Sequence, residues 1–84
     1  MAKYTPLEKF LENLDKKQND VTLDFTQIER IIADRLPQSA FKHSAWWANE
    51  MDGSHVEAHA WMGAGWKVDH VDFARKCVRF IRSS

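Results

Sequence analysis

Eighty-four residues with twelve basic and twelve acidic side chains, 44% hydrophobic and 29% charged, describe one small domain of ordinary globular composition rather than a disordered chain. The balanced charge excludes a whole-molecule positive field as the means of attracting nucleic acid, so such binding would need a local patch. A single cysteine excludes an intramolecular disulfide and a paired-thiolate zinc site, and no apolar run is long enough for a membrane-spanning helix.

The first element is signalled by YTPLEKFLENL, in which Thr5 and Glu8 have capping-box spacing and Pro6 sits where a missing N–H costs nothing. Leu7, Phe10, Leu11 and Leu14 share one helical face, and KKQND closes the element, predicting a helix over 5–17. VTLDF alternates Val21, Leu23 and Phe25 with polar residues and predicts a short strand over 21–25. In TQIERIIADRLP, Thr26 and Glu29 repeat the capping spacing and Ile28, Ile31, Ile32 and Leu36 form an apolar stripe. A helix over 26–36 follows, ended by Pro37.

QSAFKHSAWWANE predicts a helix over 39–50 with Ser39 as its cap, although the Trp46–Trp47 pair also suits a strand. MDGS marks a turn, and Ser54 with Glu57 opens a helix over 54–64. Alternation of Val56, Ala58, Ala60 and Met62 allows a strand there, but the alanines and Gly65 at the C-cap position favour the helix. WKVDHVDF and KCVRFIR, joined by Ala74 and Arg75, predict an antiparallel hairpin over 66–82.

The fold class expected is α+β, a small helical domain with a C-terminal antiparallel β-hairpin. Apart from one additional helix before the hairpin, the order is that of a winged helix-turn-helix: TQIERII supports, ADRLPQ turns and SAFKHSAWWANE would recognise. The six-residue turn is long, and the additional helix could occupy the surface DNA would need. Between Phe25 and Arg82, roughly two thirds of the chain, the anchors Leu36-Pro37, Ser39-Ala40, His43, Trp46-Trp47, Asn49, His55, Trp61 and Gly65-Trp66 resemble a group of small bacterial domains of unknown function. That resemblance implies a shared fold and no particular activity.

HVEAH places His55 and His59 four apart, yet Glu57 is displaced by one position from the H-E-x-x-H arrangement in which the glutamate activates metal-bound water. No spacing singles out a third ligand among His43, His70, Cys77 or the carboxylates. The H-x-E of zinc deaminases lacks its downstream P-C-x-x-C, and GAG lacks the helix and lysine of a phosphate loop. Surface histidines, a structural Cys77, no cofactor and no enzymatic activity are expected, with a metal-dependent enzyme at His55 and His59 as the remaining alternative.

A helix over 39–50 would align Ser39, Lys42, His43, Trp46 and Asn49 on one side. Serine and lysine suit phosphates, asparagine an adenine edge, and tryptophan an unpaired base. Arg75, Lys76 and Arg79 on the hairpin would add the backbone contacts of a wing. Two plainer accounts compete: four tryptophans that simply build the core, and an edge strand protected by charge. The reading is a non-enzymatic, cytoplasmic DNA-binding module, such as a small regulator. Its alternative is a protein-interaction module or a phage- or defence-associated inhibitor anchored by exposed Trp46, Trp61 or Trp66. A homodimer fits either, and no membrane association is expected.

Overall fold

Residues 3–50 and 56–83 are described in the computed structural model of the chain. In chain order they form α1 (Thr5–Glu12), β1 (Asp20–Asp24), α2 (Phe25–Ile32), α3 (Gln38–Lys42), a 3-10 turn (Ser44–Trp47), α4 (Val56–Gly63), β2 (Trp66–Asp72) and β3 (Cys77–Arg82). The architecture is α+β, with four helices packed on a three-stranded antiparallel sheet of order β1-β3-β2. Among the described residues no helix is long and apolar enough to cross a membrane.

The helix caps lie earlier than expected, by one residue in α1 and by two in α2. In α1 the cap position belongs to Tyr4, whose carbonyl accepts from the Leu7 and Glu8 amides at 3.1 Å each, and no side chain caps it. In α2 the capping box is formed by Asp24 and Gln27, which exchange hydrogen bonds of 2.7 and 2.8 Å, instead of Thr26 and Glu29. Both shifts have the same cause: burying Tyr4 and Phe25 in the core draws each into its helical turn.

The helix ends lie earlier as well. α1 stops at Glu12 rather than 17, and the Arg82 guanidinium engages the carbonyls of Asp15 and Gln18 at 2.9 Å, giving those groups partners outside a helix. α2 stops at Ile32 because Ala33 turns left-handed, with φ 55°. Glu29, free of any capping duty, accepts from the Leu36 amide at 2.9 Å and closes the following turn.

The largest departure lies between the second proline and Glu50. The expected single helix over 39–50 is broken at His43, whose backbone is extended at φ −122° and ψ 118°. The residues that follow wind into the 3-10 turn that carries both Trp46 and Trp47. Here both pack against Trp61, with ring centroids 6.4 and 5.8 Å away. The Trp47 indole N–H also takes the Ala40 carbonyl at 2.9 Å, an oxygen that a continuing helix would use for itself.

α4 is helical as expected, followed by Gly65 at φ 87°, while the Ser54 cap and His55 lie outside the described residues. The hairpin also forms, with a bulge between Val68 and His70. Its second strand supplies the partner for β1, aligning Leu23 with Val78 and Val21 with Phe80. Leu23, Trp66, Val78 and Phe80 face the helices and are buried with Leu7, Leu11 and Ile28, so the core is a layer between helices and sheet.

Candidate nucleic-acid interface

Phe25 joins the two basic segments singled out by the sequence. Its amide donates to the Lys76 carbonyl at 2.8 Å, tying the hairpin turn to the start of α2, and its ring meets Phe41 of α3 edge-on at 5.1 Å. The neighbour of Phe41 is Lys42. One buried residue thereby links the two, its ring to α3 and its amide to the hairpin turn, and Ser39, Lys42, His43, Arg75 and Lys76 are all exposed. The turn is pinned further by the Asp72 carboxylate, which accepts from the Arg75 amide at 3.0 Å.

Three other residues of the expected site are committed elsewhere. Trp46 is half-buried, in edge contact with Tyr4 at 5.9 Å and Trp47 at 4.6 Å, so part of its ring is taken up within the protein. Asn49 donates from Nδ2 to the Val68 carbonyl at 2.9 Å, while its Oδ1 accepts from the Val68 amide at 2.8 Å and from the Trp61 indole at 3.0 Å. Its carboxamide thus acts as a fragment of neighbouring strand, satisfying the outer edge of β2. No acceptor capacity remains for an adenine.

Arg79 is likewise occupied. On the outer face of the sheet its guanidinium bridges Asp69 at 2.7 Å and Asp20 at 2.9 Å, one carboxylate from each edge strand. The hydrogen bond to Asp69 and then that to Asp20 raise its proton affinity further. Two acidic partners on one cation leave this part of the hairpin without positive character for a phosphate. Within the expected site, the cations left without an acidic partner among the described residues are Lys42, Arg75 and Lys76.

With this geometry in place, the family comparison is informative: residues 4–83 match the family described as Domain of unknown function (DUF7662). The chain belongs to this family. The match runs from the cap of α1 to the residue after β3, so the DUF7662 domain comprises every element described above. No curated protein and no solved structure matches the chain.

The tryptophans of this DUF7662 domain chiefly build its core. Trp47, Trp61 and Trp66 are buried, and the Trp66 indole donates to the Leu11 carbonyl at 3.2 Å while Arg82 covers its ring at 4.3 Å. His59 is exposed on α4, and among the described residues no three His, Cys, Asp or Glu side chains are grouped so that they could hold a metal ion.

Sequence reasoning overlooked Tyr4, a lone tyrosine ahead of a helix with nothing to mark it out. It is buried beneath Trp46 and Lys3, and its pKa is pushed up to about 12, first by loss of water and then by the carboxylates of Glu57 and Asp34. A phenol whose pKa is raised on folding stabilises the fold at pH values below its ordinary pKa. That contribution disappears as pH climbs from about 10 through about 12. Because the chain has one tyrosine, phenolate absorbance reports it alone, and the native titration is expected near 12. A midpoint at the value of free tyrosine in protein that is still folded would contradict the burial.

Proposed function

We propose that this DUF7662 domain is a small, non-enzymatic, cytoplasmic DNA-binding module that contacts the duplex backbone through Ser39, Lys42 and His43 on one side and Arg75 and Lys76 on the other. The observation that carries this reading is the Phe25 junction, which links α3 to the hairpin turn. The element order and the β1-β3-β2 sheet support a variant winged helix-turn-helix in which that turn serves as the wing.

The reading favours phosphate contact over base recognition. α3 has five residues, about 7.5 Å of helix, too short to present a long recognition face. The groups best suited to reading bases, Asn49 and Arg79, are bound within the protein. Binding should therefore tolerate sequence changes and depend steeply on salt.

Polarisation of a labelled duplex at low salt tests the proposal. Lys42→Ala and Arg75→Ala should each weaken binding about 5-fold and make the salt dependence shallower by about one phosphate contact. Arg79→Ala, whose charge is already neutralised, should leave affinity within about twofold. No binding at low salt would overturn the proposal. The protein-interaction alternative named Trp46, Trp61 or Trp66 as its exposed anchor; Trp61 and Trp66 are buried, which leaves the half-buried Trp46 as its anchor.

A further inference from the structure

We infer that the cleft between the start of α1 and the exposed side of α4 is a binding site for a small organic cation, a primary ammonium carried on an aromatic or aliphatic body. The cleft has a volume of about 460 Å³, within the range of sites that enclose small molecules. Its apolar surface comes from Tyr4, Ala60 and Val56. Val56 is 63% exposed, the large hydrophobic side chain most open to water among the described residues, and here it faces a concavity instead of a flat surface.

Charge within the cleft selects the sign of the ligand. Lys3 is already spent: its ammonium donates to the Arg35 carbonyl at 2.7 Å and lies 3.7 Å from Asp34. Glu8 also lines the cleft and forms no ion pair with any described residue. Its carboxylate lies over Gly63, with Oε2 only 3.2 Å from where a side-chain carbon at that position would sit, so the glycine makes room for it. Gly63 is the last residue of α4, where unpaired carbonyls give the helix end a partial negative charge. A carboxylate against that end is opposed electrostatically, and a cation seated between them would relieve the opposition.

Tyr4 supplies a second, independent indication. Only 8% exposed, it lines the cleft, and its hydroxyl has no hydrogen-bond partner among the described residues. That oxygen can accept from an ammonium. The hydrocarbon body would cover Val56 and Ala60, with the His59 imidazole at the rim. The inference does not depend on DNA binding.

The test is a titration of the full chain followed by amide chemical shifts, comparing 2-phenylethylamine with its neutral and anionic counterparts, 2-phenylethanol and 3-phenylpropionate. The amine should bind saturably with a Kd of about a millimolar, shifting residues 3–8 and 56–63, and the other two at least about tenfold more weakly. Glu8→Gln preserves size, should fold as the parent does, and should weaken the amine about tenfold. No saturable shift, shifts mapping elsewhere, equal binding of the three compounds, or a folded Glu8→Gln protein with undiminished affinity would each overturn the inference.

Discussion

Trp61→Ala is expected to lose about 3–5 kcal/mol of folding stability. For a domain of this size the whole reserve is roughly 4–13 kcal/mol, so the variant would be largely or wholly unfolded under ordinary conditions. Trp61 is completely buried and stacked on Trp47 at 5.8 Å, and it touches Trp46 and Phe80 at 6.4 and 5.6 Å. It is the ring at which the broken segment after α3 meets α4 and the sheet. Truncation removes those contacts together and leaves a cavity between layers that the surrounding backbone cannot close.

Trp61→Phe separates packing from polarity, because it retains a ring while deleting the N–H that Asn49 accepts. Its loss should be smaller, about 1–2 kcal/mol. Urea unfolding followed by far-ultraviolet circular dichroism measures both variants. An alanine variant within about 1 kcal/mol of the parent would show that the aromatic cluster does not hold the layers together.

Asn49→Ala carries the second large effect, a loss of about 2–4 kcal/mol. Three hydrogen bonds end on this carboxamide, and the fates of their partners differ. The Val68 amide and carbonyl lie on a sheet edge where water can replace the lost groups. The Trp61 indole is buried, so its N–H would be left without an acceptor, and that deficit dominates. At about 4–8 °C per kcal/mol for a domain of this size, the thermal midpoint should fall by roughly 10–30 °C.

Asn49→Asp keeps the acceptor and loses the donor to the Val68 carbonyl, placing an anion beside that oxygen, so an intermediate loss is expected. The same variants examine the DNA proposal. DNA affinity should fall only in proportion to the unfolded fraction, because Asn49 acts within the fold. A well-folded Asn49 variant that selectively lost DNA binding would instead make it a contact residue and remove the basis of the structural account.

The contrast between Asn49 and Lys42 shows how much of the candidate site was legible. Lysine at an exposed helix end remains available whatever surrounds it, so Lys42, like Ser39 and His43, lies at the surface where the sequence pattern suggested. A carboxamide carries donor and acceptor together, and its role depends on which unpaired backbone it reaches. Asn49 reaches Val68, nineteen residues away. Arg79 was equally ambiguous, since its partners Asp69 and Asp20 lie ten and fifty-nine residues away. Nothing near Tyr4 or Glu8 in the chain signals the cleft, whose other wall is α4.

By itself the sequence determined the elements whose signals are local. The isoleucine stripe of α2, the alanine-rich α4 with its following glycine, and the paired β-rich runs of the hairpin need only neighbours within a turn or across a tight bend. Tertiary structure decided where competing local choices were close in energy. It moved the cap of α1 by one residue and that of α2 by two, with Tyr4 and Phe25 buried, broke the helix at His43 with the Ala40 carbonyl given over to the Trp47 indole, and gave β1 its partner in β3. The reason is one of magnitude: a cap or a single helical hydrogen bond contributes about 1 kcal/mol, whereas burying a large aromatic side chain contributes more, so packing prevails wherever the two conflict.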